Sequence, residues 1–377
     1  MKIGITCYPV IGGSGVVATE LGMYLAKLGH QVHFISYQAP FRLDSYHENI
    51  FFHEVEVSNY PLFKYPPYTL SLAAKMADVV CRYSLDVLHV HYAIPHATAA
   101  FLAKQFVTDC RIKVITTLHG TDVTLVGSDR SFYEITKFSI KASDGVTSVS
   151  DWLSTQVNEV FGIDRPIKTI HNFIDTQIFK PDCSRTPRKL FSPEGHKLVM
   201  HLSNFRPVKR IADVIETFRL IHEKIKCRLV LIGDGPDMAL ANHLIDKSRL
   251  KDDVIVLGNQ DSIETILPAA DLFLLPSESE SFGLAALEAM ACGVPVVATA
   301  TGGVPELITP GVDGELAEIG DTESMAKAGI EILSDSDKLA AMKKAARNTA
   351  VERFSAAAGV RKYEEFYVSI CTMGNQL

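Results

Sequence analysis

The feature that most constrains the fold of this chain is a regular alternation between two kinds of segment. Short apolar runs rich in β-branched residues, the first of them KIGITCYPV from Lys2, alternate with segments whose apolar residues recur every three or four positions, such as VVATELGMYLAKLGH from Val16. This alternation is typical of βαβ units, in which each helix connects two parallel strands. We therefore predict an α/β protein built on parallel sheets, whose first helix ends near Gly29.

The alternation is interrupted over residues 168–197, where prolines and charged residues accumulate. A second βα series follows, with apolar runs such as LVMHLS, RLVLIGDG and DLFLLPS. We predict two Rossmann-like doubly wound domains, over residues 1–170 and 196–354, joined by a linker over residues 171–195. Ligands of such sheets bind beyond the carboxyl ends of the strands, so two facing domains would form one interdomain cleft.

Charge and composition exclude several classes of function. The net charge is −7, whereas nucleic acids and anionic membranes favour basic partners. The seven cysteines are scattered, with no spacing typical of a zinc site. The most apolar window, residues 284–300, contains Glu288, Gly293 and Pro295, and the N-terminus has no long apolar stretch. We expect a cytoplasmic protein that has no metal site and acts on small molecules. The periodicity of the sequence does not determine the oligomeric state, so a homo-oligomer is possible.

A glycine-rich loop, GGSGVVA over residues 12–18, follows the first strand and opens the first helix. It matches the dinucleotide-binding spacing, but the end of the second strand, HFISYQAP, lacks the acidic residue that would hold the ribose of NAD. We therefore reject NAD as a cofactor. Gly15 and Ser14 remain candidates for an anion approaching the helix N-terminus, and a tight turn that needs glycine for packing alone is the alternative.

The second half of the chain carries a cluster of cations directly after its first strand. In SNFRPVKR, Arg206, Lys209 and Arg210 would repel one another unless an anion joins them, and arginine and lysine suit phosphate oxygens. Glycine turns follow two further strands, where Gly233 would let a ligand approach the backbone and Asn259 could meet the edge of a base. The pattern predicts a nucleoside diphosphate site, with solvated loop charges as the alternative.

The stretch SESESFGLAALEAMACGVP, residues 277–295, places two glutamates around a helix N-terminus. Gly283 and Leu284 begin the helix, whose free amides and positive dipole suit a phosphate. Glu280 precedes the helix, and Glu288 lies inside it among apolar residues, where burial requires a hydrogen-bond donor such as a pair of sugar hydroxyls. Dipole pairing for Glu280 and a salt bridge for Glu288 are equally good interpretations.

As a set, these motifs resemble glycosyltransferase family 4, the retaining GT-B transferases. The resemblance rests on the EX7E spacing of Glu280 and Glu288, on GGSG and HGTD, and on HNFIDTQIFKP between the predicted domains. It implies a sugar nucleotide held mainly by the C-terminal domain and transfer with retention. Carried over, Lys209 and Arg206 hold the diphosphate, although Asn204 stands where the family often has arginine. Glu288 then binds the ribose, and Glu280 the donor sugar.

The same resemblance implies that His119 lies beside the reacting centre. It also implies that a C-terminal helix, residues 355–377, packs back on the N-terminal domain. Further segments, ITCYP, FKYPPY and HVHYAIPHATAA, resemble the members that join N-acetylglucosamine from UDP-GlcNAc to L-malate in bacillithiol biosynthesis. The two carboxylates of malate then need donors from the N-terminal domain. The candidates are Ser14, Lys64, Tyr92, Thr117 and Arg130.

Three alternatives stay open from the sequence. A family 4 transferase could use another acceptor, such as an inositol phosphate, a lipid or a polysaccharide, although no basic amphipathic segment favours a lipid. A UDP-GlcNAc 2-epimerase shares the two-domain architecture, and a nucleotide-sugar sensor would bind the donor without turnover. For the transferase we expect no cofactor and no strict metal requirement, because the cations and the helix N-terminus can meet the diphosphate charge.

Overall fold

The computed structural model describes residues 1–9, 12–41, 43, 46–57, 62, 64–107, 111–124, 126–127, 129–182, 184, 186 and 188–372. The chain forms two compact units. The N-terminal unit comprises Met1–Asn172 together with the C-terminal segment from Ala356, and the C-terminal unit comprises Phe173–Ser355.

The N-terminal unit contains seven strands in one parallel sheet, in the order β3-β2-β1-β4-β5-β6-β7. Its strands are β1 (Lys2–Thr6), β2 (Gln31–Ser36), β3 (Ile50–Glu54), β4 (Val87–His91), β5 (Lys113–Leu118), β6 (Gly145–Ser148) and β7 (Lys168–Thr169). Its helices are α1 (Gly13–Lys27), α2 (Tyr68–Tyr83), α3 (Thr98–Phe106), α4 (Thr121–Thr124), α5 (Tyr133–Ala142), α6 (Asp151–Phe161) and α14 (Ala356–Thr372). The predicted parallel α/β sheet is confirmed, and α1 ends two residues before Gly29.

The C-terminal unit repeats the architecture with a six-stranded parallel sheet, in the order β10-β9-β8-β11-β12-β13. Its strands are β8 (Lys197–Leu202), β9 (Cys227–Ile232), β10 (Val254–Gly258), β11 (Leu272–Leu275), β12 (Val296–Thr299) and β13 (Gly314–Ala317). Its helices are α7 (Ile211–His222), α8 (Met238–Lys247), α9 (Ile263–Ile266), α10 (Leu284–Ala291), α11 (Val304–Leu307), α12 (Thr322–Ser334) and α13 (Ser336–Phe354). The prediction of two Rossmann-like sheets is thereby confirmed.

Each sheet has one position where the strand order reverses direction. In the N-terminal unit the reversal lies between β1 and β4, and in the C-terminal unit it lies between β8 and β11. Loops that leave the two strands at such a point diverge to opposite faces of the sheet, which opens a crevice beyond the carboxyl ends. The glycine loop follows β1, and SNFRPVKR and SESES follow β8 and β11, so the candidate motifs lie at these crevices.

The segment predicted as a linker packs against the C-terminal unit from Phe173 onward. Phe179 is fully buried. Arg347 donates hydrogen bonds to the carbonyls of Thr176 and Phe179, and Arg188 donates to the carbonyl of Ala269 and pairs with Asp271. The described residues of this segment therefore form an irregular connection that is anchored to the C-terminal unit.

The C-terminal helix α14 packs on the N-terminal unit through aromatic side chains. Tyr363 and Tyr367 are fully buried, and the Tyr367 hydroxyl lies 2.7 Å from His89 Nδ1. Glu364 reaches His30 Nε2 at 2.7 Å. The N-terminal unit is therefore completed by residues that follow the whole C-terminal unit in sequence. Within the described part of the chain, every helix is too short or too polar to cross a bilayer.

Candidate active site

An ion pair lies at the reversal point of the C-terminal sheet. Glu280, in the loop after β11, accepts hydrogen bonds through Oε1 from Lys209 Nζ at 2.5 Å and from Ser277 Oγ at 2.9 Å. The two loops are also joined through their backbones, because the Glu278 amide donates to the Val208 carbonyl at 2.8 Å. The structure thus brings together a lysine and a glutamate that are 71 residues apart in sequence.

Two glycines fix the backbone of Glu280. The Gly303 amide donates to the Glu280 carbonyl at 2.9 Å, and a Cβ atom added at Gly302 would lie only 1.8 Å from that carbonyl oxygen. Gly302 also has a φ of +59°, in the left-handed region that favours glycine. Any side chain at Gly302 would therefore displace Glu280. Gly302 and Gly303, which follow β12, are thus part of the site.

The helix α10 begins as predicted beside this loop. Gly283 precedes it with a φ of +94°, and Leu284 is its first residue. The first amides of the helix have no intrahelical acceptor, so they provide positive potential for an anion. Glu288 is buried one turn further on, with 6% of its surface exposed.

The cations of SNFRPVKR do not share one anion in this structure. Lys209 pairs with Glu280, and Arg210 pairs through Nε with Asp213 Oδ2 at 2.6 Å, in the first turn of α7. Arg206 is exposed and has no side-chain partner among the described residues. The repulsion inferred from sequence is therefore relieved by carboxylates at two of the three positions, and Arg206 is the one of these three cations without a carboxylate partner among the described residues.

Gly233 serves loop packing. A Cβ atom at this position would lie 1.8 Å from the Ser203 carbonyl oxygen, and one at Gly235 would lie 2.0 Å from that of Asn204. The position that a side chain would take at Gly233 is thus occupied by the loop after β8, and contact between the Gly233 backbone and a ligand stays a prediction. Asn259 is exposed directly after β10, at the position expected for contact with a base.

A buried histidine anchors the loop that carries Lys209. His201 Nδ1 lies 2.9 Å from the Leu274 carbonyl, which can only accept, so this nitrogen carries the proton. Nε2 is then the acceptor for the Ser203 hydroxyl at 2.8 Å, and Ser203 Oγ accepts from the Phe205 amide at 3.2 Å. Burial lowers the pKa of His201 to about 4, which keeps this chain of hydrogen bonds neutral and intact at pH 7.

At the reversal point of the N-terminal sheet, the structure brings Ser14 and Tyr92 together. Ser14 Oγ lies 2.8 Å from the Tyr92 hydroxyl, and Gly15 is buried in the first turn of α1. Tyr92 follows β4 directly and has a φ of +83°, an unfavourable conformation for a bulky residue. Burial raises the pKa of Tyr92 to about 12, so its hydroxyl is a neutral donor or acceptor.

His119 follows β5 and is held by two neighbours. The amides of His119 and Gly120 donate to Asp122 Oδ1 at 3.2 and 3.0 Å, while Asp122 Oδ2 accepts from the Ala93 amide at 3.1 Å. His119 Nε2 lies 2.7 Å from Nδ1 of His91, the last residue of β4. Burial lowers the pKa of His119 to about 3 and raises that of Asp122 to about 6.

The other predicted acceptor residues lie in different surroundings. Thr117 is fully buried, and its hydroxyl contacts His89 Nε2 and Thr147 Oγ1 at 2.7 and 2.6 Å, so it supports the sheet interior. Lys64 and Arg130 are exposed, and the Lys64 amine lies 5.4 Å from the centre of the Tyr65 ring. Among the described residues, no hydrogen bond or ion pair joins either cation to Ser14 or Tyr92.

Comparison with known proteins decides the family. Residues 11–178 match the model of Glycosyltransferase Family 4, and residues 184–349 match that of Glycosyl transferases group 1. The chain is 47% identical to the N-acetyl-alpha-D-glucosaminyl L-malate synthase of Bacillus anthracis, over 98% of this chain and 97% of that protein. The chain belongs to glycosyltransferase family 4. It is also 30% identical to a GDP-mannose-dependent mannosyltransferase of Corynebacterium glutamicum, over 74% of this chain and 75% of that one.

Solved structures show that this family 4 chain has the GT-B fold. HepE of Anabaena, crystallised with UDP and glucose, matches with a TM-score of 0.81 at 21% identity, covering 98% of this chain and 100% of that one. Sucrose-phosphate synthase of Thermosynechococcus elongatus matches with a TM-score of 0.82 at 20% identity, covering 99% of both chains. The prediction of a GT-B glycosyltransferase is therefore confirmed.

Several residues of the site lie outside the sequence-based predictions. Ser277 and Gly302 position Glu280, His201 anchors the loop that carries Lys209, and His91 contacts His119. None of the four forms a recognisable sequence motif with its partner. A glycine pair after a strand and a histidine at a strand end are the available signals, and both are common. The contacts become specific only when the parallel sheet brings neighbouring carboxyl ends together.

Proposed function

We propose that this family 4 enzyme transfers N-acetylglucosamine from UDP-GlcNAc to the hydroxyl of L-malate, giving the α-linked product of bacillithiol biosynthesis. The observation that carries the proposal is the 47% identity, across almost the whole chain, to a protein named for that product. UDP-GlcNAc carries its sugar in α linkage, so an α-linked product requires retention at the anomeric carbon.

The C-terminal unit supplies the groups that suit the donor. Lys209, Arg206 and the first amides of α10 provide positive potential for the diphosphate, and preorganised charge of this kind is the largest single contribution to many enzymatic rates. Glu288 would accept from the ribose hydroxyls, and Asn259 and the backbone beside Gly258 would meet the base. Glu280, fixed by Lys209, Ser277 and Gly303, would orient the sugar.

The reaction that fits these residues is a front-face displacement. The bond between the anomeric carbon and the diphosphate oxygen breaks as the malate hydroxyl oxygen bonds to the same face of that carbon. The hydroxyl proton passes to the departing phosphate oxygen, so atoms and charge balance without a separate base. Lys209 and Arg206 stabilise the negative charge that grows on the diphosphate, and His119 would donate a hydrogen bond to the donor sugar.

The N-terminal unit supplies donors for an anionic acceptor. Ser14 and Tyr92 lie 2.8 Å apart beside the N-terminus of α1, where the helix amides also attract negative charge. We propose that these groups bind one carboxylate of malate. Lys64 and Arg130 remain candidates for the second carboxylate. Lys64→Ala and Arg130→Ala should then raise the KM for malate far more than the KM for UDP-GlcNAc, and equal effects would remove them from the acceptor site.

The proposal is tested by incubating the protein with UDP-GlcNAc in the presence and absence of L-malate. We expect UDP release that depends on malate, and a product whose anomeric proton shows the small coupling of an α linkage in NMR. Formation of UDP-ManNAc without an acceptor would instead identify an epimerase. UDP release with an inositol phosphate or lipid acceptor but not with malate would reassign the acceptor, and binding without turnover would indicate a sensor.

A further inference from the structure

The N-terminal unit contains four histidines at the ends of neighbouring strands and in the turn beyond them: His89, His91, His96 and His119. His89 and His91 belong to β4, and His119 follows β5. Burial lowers the pKa of His119 to about 3, that of His96 to about 4, and that of His91 well below its usual value. All of these rings are therefore neutral near pH 7, and each carries one N–H and one bare nitrogen.

The proton position on His96 follows from its acceptor. His96 Nδ1 hydrogen-bonds the carbonyl oxygen of His91, which can only accept, so Nδ1 of His96 carries the proton. The Nε2 atom of His96 is then a bare nitrogen, and it is buried without a partner among the residues that the structure describes. An unused acceptor of this kind is tolerated inside proteins more readily than an orphaned N–H donor.

The same reasoning decides the proton between His91 and His119. Their contact, His91 Nδ1 to His119 Nε2 at 2.7 Å, requires that one nitrogen donates and the other accepts. If His119 donated, the single proton of His91 would lie on Nε2, which is buried and has no partner in the described part of the chain. If His91 donates from Nδ1, its Nε2 is an unused acceptor, as in His96. The second arrangement avoids a buried orphan N–H, so it is favoured.

This arrangement determines what His119 offers to a ligand. Since Nε2 of His119 accepts from His91, its proton must lie on Nδ1. Nδ1 has no protein partner among the described residues, and His119 is partly exposed. Asp122 fixes the backbone of the same residue by accepting its amide at 3.2 Å. His119 is thus held at the backbone and at one ring nitrogen, with a single N–H left free.

We infer that His91 is a positioning residue, which holds His119 in the Nδ1–H tautomer so that it acts as a neutral hydrogen-bond donor to an oxygen of the donor substrate. The identity of that substrate rests on the proposed function. The tautomer itself does not, since it follows from contacts present without any ligand. A merely structural role for His91 would stabilise the sheet end but would leave the ring of His119 free to carry its proton on either nitrogen.

The test is the tautomer of His119, read by long-range ¹H–¹⁵N NMR on protein labelled at histidine, with His119→Gln identifying its resonances. We expect a protonated Nδ1 and a bare Nε2 in the wild-type protein. His91→Asn keeps an N–H donor on the atom bonded to Cγ and should preserve this pattern, whereas His91→Leu removes the donor and should shift the proton toward Nε2.

Kinetics provide the second readout. His91→Leu should lower kcat by roughly tenfold or more, about the contribution of one hydrogen bond, while His91→Asn recovers most of that loss. The matched control is His53→Leu, which removes a similar histidine contact, His33 Nδ1 to His53 Nε2 at 2.9 Å, elsewhere in the same unit. That control should leave kcat within about twofold, because the contact lies between β2 and β3.

A wild-type His119 protonated at Nε2 would overturn the inference, as would an unchanged tautomer in His91→Leu. Equal losses of kcat in the Leu and Asn variants would also overturn it, because a structural role predicts no rescue by a donor. The NMR result is obtained without substrate. If malate transfer fails while the tautomer is as expected, the proposed function is wrong and the tautomer that His91 imposes on His119 stands.

Discussion

Replacing Gly302 with alanine tests whether the position of Glu280, which we propose orients the donor sugar, depends on the absence of a side chain at residue 302. A Cβ atom at Gly302 would lie 1.8 Å from the Glu280 carbonyl oxygen, whereas a relaxed contact needs more than 3 Å. The loop must therefore move by at least about 1 Å, and a displacement of that size at a reacting centre costs about 100-fold in rate. We expect Gly302→Ala to lower kcat by about 100-fold.

The control for this experiment is Gly311→Ala. Gly311 also has a positive φ, +78°, but an added Cβ would meet no atom within 4 Å. Both substitutions carry the same backbone strain, about 1–2 kcal/mol, so both should lower the melting temperature by a few degrees. Only Gly302→Ala should also lower kcat. If the two variants lose stability equally and both keep wild-type kcat, the positioning of Glu280 by Gly302 is refuted.

Four further results follow from the same contacts. Lys209→Ala should lower kcat by about 100-fold or more, as loss of a transition-state donor does, while Arg210→Ala, whose partner is Asp213, should have a much smaller effect in the same UDP-release assay. If Lys209 and Arg206 meet the diphosphate charge as proposed, activity should persist in EDTA; loss of activity that a divalent ion restores would contradict this. Mass spectrometry of enzyme trapped with donor should show no glycosyl adduct on Glu280. Lowering the pH from 7.5 to 5.5 should reduce the free energy of unfolding by about 1.4 kcal/mol for each buried histidine whose pKa is near 6.5 when unfolded. His89, His96 and His201 are such residues, because their pKa values in the folded state are about 3, 4 and 4. Denaturant titrations at the two pH values measure the difference.

The sign of that pH effect follows from proton binding. Between pH 6.5 and the folded pKa values, the unfolded histidines bind protons and the buried ones do not, so acid favours the unfolded state. The stabilisation is fully present above pH 6.5 and is lost as the pH falls toward 4. A free energy of unfolding that stays constant over this interval would show that these rings are accessible to protons in the folded protein.

Local sequence could predict the elements but could not predict which loops touch. The periodicity around Val16 and the apolar run before Glu280 indicate a helix and a strand because burial of one face has a fixed period. The pairing of Lys209 with Glu280 depends on β8 and β11 being neighbours, although β9 and β10 lie between them in sequence. The same limit applies to Gly233, since the sequence could not show that this glycine also makes room for the Ser203 carbonyl.

The contacts of Glu280 bear on how retention is achieved. A nucleophilic carboxylate must offer a lone pair to the anomeric carbon, and retaining glycosidases place such a group for a covalent intermediate. Here Oε1 accepts from both Lys209 and Ser277, and hydrogen bonds to a charged group are worth about 1.5–3 kcal/mol each. Attack through Oε1 would break those bonds and separate Lys209 from its partner as the leaving diphosphate gains charge, so a nucleophilic role would fall to Oε2. We propose that Glu280 instead stays paired with Lys209 and orients the donor sugar, which keeps Lys209 in place for the departing oxygen, and a glycosyl adduct on Glu280 would contradict this.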